Sequence, residues 1–262
     1  MGVSMTILSW EQFCAAPLSY PTAATIGVFD GLHRGHQALI AHITRKAPTL
    51  VPMAITFVQN PKKVLYPALY RGDILSISQK LRLLEYYGIQ VVVLVDFSQN
   101  FSKLSGKDFL DLLQDRGNLH YLAVGSNFRC GNGLDTDAPA IKGLLESKGI
   151  ETQIVPSLMI GGAPVSSSRI RNEIGSGNLV EATVLLGRNV ELDLSDLSQT
   201  PERGRVWFDV GAAHRIMPPP GRYTVYGVAA SSSRGTVGTV ICRDGKVGLP
   251  ETMQCDRIEF LV

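Results

Sequence analysis

The chain has little of what marks a specialised environment. It holds only four cysteines in 262 residues. Cys14, Cys130, Cys242 and Cys255 show no C-x-x-C spacing and no clustering with histidine. That argues against a zinc site or a disulfide framework and fits a reducing compartment. No apolar run approaches the ~18 residues that span a bilayer. Charged residues make up 18% and the formal net charge is +2. No excess of one sign points to nucleic acid or a membrane surface as partner. Small anionic ligands stay open, because they need only a few local charges. The opening Met1 to Thr6 lacks the basic-then-apolar order of a signal peptide. The expectation is a soluble protein of the cytoplasm.

What is present is ordinary globular material, 45% hydrophobic, enough for a buried core. The length suits one large or two modest domains. From Ala23 to about Arg188 short apolar runs alternate with helical periodicity. The runs are Ala24 to Phe29, Met53 to Phe57, Val91 to Val95, Tyr121 to Val124 and Thr152 to Val155. Strands that are apolar throughout suit a parallel sheet covered on both faces. Helices are expected over 35–45, 78–87, 105–115 and 138–148, with Lys80, Arg82 and Glu85 outside the apolar face of the second. This alternation predicts a doubly wound α/β domain over residues 1–188. After Gly187 to Asn189 the texture changes. A polar stretch to Arg203 is followed by β-like runs at 206–208, 223–226, 236–242 and 257–262. Pro218 to Gly221 and Arg243 to Lys246 are turn signals between them. Residues 189–262 are therefore expected to form a small antiparallel β domain.

Two segments carry chemistry. The first, Gly27-Val28-Phe29-Asp30-Gly31-Leu32-His33-Arg34-Gly35-His36, follows the first strand and opens the first helix. Ligands of open α/β sheets bind beyond the carboxyl ends of the strands. A helix start there offers free N–H groups to a phosphate. Gly27, Gly31 and Gly35 let the backbone approach a ligand, and His33 and His36 can donate to phosphate oxygens. A tight turn with solvated histidines, or a pair of metal ligands, would give the same letters. The second segment, Val165-Ser166-Ser167-Ser168-Arg169-Ile170-Arg171, reads as a serine-capped helix start. Arginines in a first turn oppose the helix dipole unless an anion is bound. Arg169 and Arg171 point ~200° apart, so one ligand cannot take both.

His33-Arg34-Gly35-His36 resembles the H-x-G-H signature of the nucleotidyltransferase superfamily. The longer segment is similar to the G-N-F-D-G-V-H-x-G-H of bacterial FAD synthetases, with Val28 in place of asparagine. Val165 to Arg171 resembles that superfamily's [IV]-S-S-T-x-x-R, which selects Arg171 over Arg169, with Ser168 for threonine. Thr56-Phe57-Val58-Gln59-Asn60-Pro61 is similar to T-F-x-P-H-P. Val124-Gly125-Ser126-Asn127-Phe128-Arg129-Cys130-Gly131 is similar to V-G-x-[DN]-F-x-F-G. The resemblance covers about Ala23 to Arg188.

It implies a Rossmann-like nucleotidyltransferase domain that transfers AMP from ATP to FMN, giving FAD and pyrophosphate. His33, His36 and Arg171 would be catalytic. Gly27, Phe29, Asp30, Gly31, Gly35, Ser167 and Ser168 would bind ATP. Asn60, Gly125, Asn127, Phe128 and Arg129 would bind FMN. Mg²⁺ would be held mainly by substrate phosphates, with Asp30 either assisting it or capping a turn. Many members carry a riboflavin kinase with a G-F-P-T-A-N signature, which is missing after Arg188. Pro219-Pro220-Gly221-Arg222-Tyr223 resembles that module's P-x-G-x-Y, so the β domain reads as a shrunken remnant without kinase activity. The alternatives are a transferase for another phosphate acceptor, a non-catalytic flavin or nucleotide sensor, and a bifunctional enzyme with a divergent kinase site.

Overall fold

The computed structural model describes residues 4–96, 101–229 and 235–262; Met1 to Val3 of the opening segment lie outside them. The chain gathers into two compact units, Met1–Ala68 with Leu81–Pro164, and Leu69–Lys80 with Val165–Val262. Compactness thus divides the chain at Val165, ahead of the change of texture near Gly187. It also sends a short internal stretch to the C-terminal unit.

In the first unit β1 (Thr6–Ser9), β2 (Thr22–Ile26), β3 (Val51–Phe57), β4 (Val91–Val95), β5 (Leu119–Gly125) and β6 (Glu151–Val155) form one sheet. Its order is β1-β4-β3-β2-β5-β6, and every pairing is parallel. All of β2 and most of β3 and β4 are buried, which is why these strands read as unbroken apolar runs. The first run ends earlier than its composition suggests. The strand stops at Ile26, and Gly27 to Phe29 already belong to the loop, where Phe29 takes a left-handed φ of 51°. Strand β1 was not legible, being four residues long, at the sheet edge and half exposed.

The helices of this unit are α1 (Trp10–Ala15), α2 (Arg34–Thr44), α3 (Pro61–Leu65), α5 (Gly106–Gly117) and α6 (Ala138–Glu146); α4 (Ile77–Tyr86) begins in the stretch assigned to the other unit. Ser105 caps α5 at its start, and left-handed Asn118 ends it. Phe13 of α1, Leu113 of α5 and Ile141 of α6 share one core with Ile55 and Leu122 of the sheet. On α4 Arg82 and Glu85 are exposed as expected, but Lys80 is buried. The strand order reverses between β2 and β5. Chain segments leaving their carboxyl ends diverge there and open a crevice.

The second unit holds α7 (Ser167–Ser176), α8 (Leu179–Leu186) and a seven-stranded antiparallel sheet. Its strands are β7 (Glu191–Asp193), β8 (Gln199–Glu202), β9 (Arg205–Asp209), β10 (Gly221–Val228), β11 (Thr236–Arg243), β12 (Lys246–Pro250) and β13 (Arg257–Phe260). The order is β7-β13-β10-β11-β12-β9-β8. Asp244 and Gly245 both have positive φ in the two-residue turn between β11 and β12, as a twisted hairpin favours. The polar stretch before Arg203 contains β7 and β8, which the sequence reading passed over. They are the two edge strands, and β8 is exposed along its whole length. Among the described residues no helix is long and apolar enough to cross a membrane.

Leu122 is fully buried in β5 beside the crevice. Leu122→Ala should cost about 2–5 kcal/mol, from lost transfer energy plus a cavity. Urea unfolding measures it, and a loss below about 1 kcal/mol would contradict this packing.

Candidate active site

Three loops leave the carboxyl ends of β2, β3 and β5, which are neighbours in the sheet. The β2 loop carries the histidines. Its backbone first prolongs the sheet, since Gly27 N–H donates to Ile55 C=O at 3.1 Å. The Thr56 hydroxyl then donates to Val28 C=O at 3.1 Å. That gives Thr56 a reason within its motif: it fastens the β2 loop to the end of β3. Phe29, Gly31 and Leu32 follow with positive φ, and both Phe29 and Leu32 are fully buried. Asp30 is buried as well.

His33 is the N-cap of α2, and its Nδ1 accepts from His36 N–H at 3.3 Å. This bond assigns the neutral tautomer with the proton on Nε2, a donor directed away from the cap. The two rings stack, with centroids 3.6 Å apart and planes at 15°. Phe29 meets His36 edge-on at 5.2 Å. Gln37 donates from Nε2 to Leu32 C=O at 2.9 Å and closes the loop from the helix side. The helix start therefore presents two imidazoles in fixed orientations beside backbone N–H groups, including that of Gly35. Gly27 differs: its N–H is already taken by the sheet.

Beyond β3, Asn60 is buried and caps α3 through Oδ1, which accepts from Lys62 N–H at 3.1 Å. A ligand would meet its amide nitrogen, a donor. Beyond β5, Phe128 N–H donates to Gly125 C=O at 2.9 Å in a tight turn. Asn127 stands exposed in that turn, while Phe128 packs partly on the core. Arg129 pairs with Asp137 at 3.3 Å, both half exposed. Asp135, absent from the sequence reading, locks this loop. Its carboxylate accepts from Gly106 N–H at 3.1 Å and from Thr136 Oγ1 at 2.7 Å. Gly131 and Gly106 lie so close to these groups that neither has room for a side chain. Cys130, in the place of an aromatic, is buried, and burial pushes its thiol up to about 12.

In the second unit Ser166 caps α7, accepting from Arg169 N–H at 3.2 Å. Ser167 and Ser168 occupy the first turn, with Ser168 exposed. The two arginines have different surroundings. Arg169 pairs with Glu181 of α8 at 2.6 Å. Arg171 is buried, and its Nε donates to Gly72 C=O at 2.7 Å. Among the described residues no group of three or more His, Cys, Asp or Glu could hold a metal ion.

A parallel sheet with a histidine-bearing helix start at its switch point, together with a serine-capped helix carrying a buried arginine, defines an α/β protein of the nucleotidyltransferase type. The family model described as FAD synthetase matches residues 16–169. The chain belongs to the FAD synthetase family.

A curated FAD synthetase from Listeria monocytogenes is 28% identical over 232 residues, 88% of each chain. A bifunctional riboflavin kinase/FMN adenylyltransferase from Escherichia coli K12 is 31% identical over 62% of this chain and 53% of its own. A solved structure titled macrolide-efflux protein, from Streptococcus pneumoniae, matches with a TM-score of 0.82 at 22% identity. It covers 98% of this chain and 89% of that one, and shows the shared fold alone.

Two outcomes follow from this geometry. His33→Ala should cost about 1 kcal/mol through the lost cap, and His33→Asn, which keeps a capping oxygen, should recover most of it; thermal unfolding compares them. The thiols give a pH dependence. Burial holds Cys130 and Cys242 protonated to about 12, whereas an ordinary thiol ionises near 9.0. The unfolded chain therefore loses protons first. Stability is complete below pH 9 and falls as pH rises toward 12. Cys130→Ala should flatten that fall when urea midpoints at about pH 8 and pH 10.5 are compared.

Proposed function

We propose that this protein is an FMN adenylyltransferase that joins the AMP of ATP to FMN and releases pyrophosphate. The observation that carries the reading is the stacked histidine pair opening α2 at the sheet's switch point, in a chain of the FAD synthetase family. An FMN phosphate oxygen attacks the α-phosphorus of ATP, and the bond to the bridging oxygen of pyrophosphate breaks. That phosphate is already anionic near neutral pH, so positioning and charge stabilisation supply the catalysis.

His33 Nε2 and His36 donate to the nucleotide phosphates. Ser167, Ser168 and Arg171 bind the leaving β- and γ-phosphates. Phe29, Asp30, Gly31 and Gly35 shape the nucleotide side of the crevice, where Gly27 acts by letting the chain turn. Asn60, Gly125, Asn127, Phe128 and Arg129 form the FMN side. Asp30 is buried in its own loop, which favours turn-holding over metal binding. The donor set fits Mg²⁺ that arrives on the nucleotide, because Mg²⁺ binds through substrate phosphates more than through a protein cage. The metal neutralises phosphate charge.

Residues 1–188 are the functional adenylyltransferase module, and residues 189–262 are the remnant of a kinase that no longer phosphorylates riboflavin. The reading places the enzyme in the cytoplasm, acting on small molecules without nucleic-acid or membrane partners.

Chromatography of products from MgATP with FMN, or with riboflavin, tests the reading. FAD from FMN and nothing from riboflavin is expected; a folded protein that makes no FAD would sink it. His36→Ala or Arg171→Ala should lower kcat about 100- to 1,000-fold, near 3 kcal/mol, as loss of one transition-state donor does.

A further inference from the structure

We propose that the segment Leu69–Lys80 is the positioning device for Arg171, and that the C-terminal sheet unit is kept because it holds this segment in place. The proposal rests on the reading of Arg171 as a phosphate-binding residue. Every contact behind it lies within one compact unit.

A guanidinium keeps its charge when buried, so its position is set by fixed acceptors. Arg171 has such an acceptor in Gly72 C=O, 2.7 Å from Nε. Gly72 has φ of +102°, and a β-carbon there would meet the backbone of His214 to Ile216 at 2.9 Å. Backbone thus lies against backbone. The next residue is bonded from both sides, Asp73 N–H to His214 C=O at 2.8 Å and Ile216 N–H to Asp73 C=O at 2.9 Å. On the helix side, Arg71 donates to Asn172 Oδ1 at 2.9 Å.

Further along, Ser76 Oγ donates to Asp193 Oδ2 at 2.6 Å, and Gln79 Nε2 to Glu191 Oε1 at 3.1 Å. Arg215 closes the circuit by donating to Asp193 C=O at 2.7 Å. The segment is therefore fastened to β7 and to residues 214–216, and the Gly72 carbonyl near its start grips Arg171. These bonds give a domain without the kinase signature a task in the transfer reaction.

The test is a double-mutant cycle on the full chain, assayed with MgATP and FMN. Gly72→Ala should lower kcat about 100-fold, toward the level of Arg171→Ala, with KM for FMN unchanged. The double variant should be no slower than Arg171→Ala alone, because both changes remove one interaction. A general structural lesion would instead multiply the two losses. Asp193→Ala, which removes a partner of Ser76 and no bond to Arg171, supplies a second cycle should Gly72→Ala fail to fold. An intermediate kcat, again non-additive with Arg171→Ala, is expected. A slow Arg171→Ala beside Gly72→Ala or Asp193→Ala at full rate, or multiplying losses, would overturn the positioning role alone. Full activity in Arg171→Ala would overturn the reading beneath it as well.

Discussion

The parallel pairing of β2 with β3 on one side and β5 on the other is the constraint on which the histidine-bearing loop depends. It sets β2 at the point of reversal, so its loop emerges where no crossover helix covers it. The last sheet-like bonds, from Gly27 N–H to Ile55 and from Thr56 to Val28, carry that order beyond the strand. The chain must then turn sharply, and it does so with left-handed Phe29 and Leu32. Each such residue costs roughly 1–2 kcal/mol. Fully burying a Phe or Leu side chain returns roughly 1.5–3 kcal/mol. Burial of these two side chains offsets the strain of the turn.

In the proposed mechanism His33 uses its two ring nitrogens differently: Nδ1 caps α2 and Nε2 meets phosphate. Serine or asparagine would cap α2 as well or better, but neither carries a second ring nitrogen. With Nδ1 accepting from His36 N–H, the ring proton belongs on Nε2. Stacking on His33 and the edge contact with Phe29 fix the second ring. A capping bond and two ring contacts thus turn flexible side chains into oriented donors. The proposed phosphate transfer would rely on this kind of preorganisation.

Much of this was legible from residue order. Strands hidden on both faces must be apolar throughout, so Val91 to Val95 announces itself. The ten residues from Gly27 to His36 carry their own setting of strand, glycine and helix. Edge strands are different. Exposed β8, Gln199–Glu202, carries polar residues that read equally well as loop. Asp135 was missed because its task, filling space beside Gly106 and Gly131, arises only when residues far apart in the chain meet. Lys80 followed the polar side of a helical pattern, yet it is buried. The helical period places residues relative to one helix and carries no information about what a neighbouring segment covers.

The same limit applies with more force to Arg171. Its motif fixes its place on α7, but not what surrounds its buried guanidinium. The Ser166 side chain is committed to the cap, and the nearest acid of α8, Glu181, is taken by Arg169. Burying an uncompensated charge costs several kcal/mol, more than a single helix turn returns. One acceptor comes from far away in sequence, from a carbonyl whose residue can only be glycine because the backbone of 214–216 lies against it. A local signature thus names the residue, while its orientation belongs to a network that reaches β7. For Asp193 within that network, burial opposes ionisation, but hydrogen bonds from Ser195 and Ser76 and the charge of Arg215 outweigh it, so the carboxyl lies below its ordinary value. An ionised acceptor makes stronger hydrogen bonds than a neutral one. The contact of Ser76 with Asp193, which ties the segment near Arg171 to β7, is thus a charge-assisted hydrogen bond.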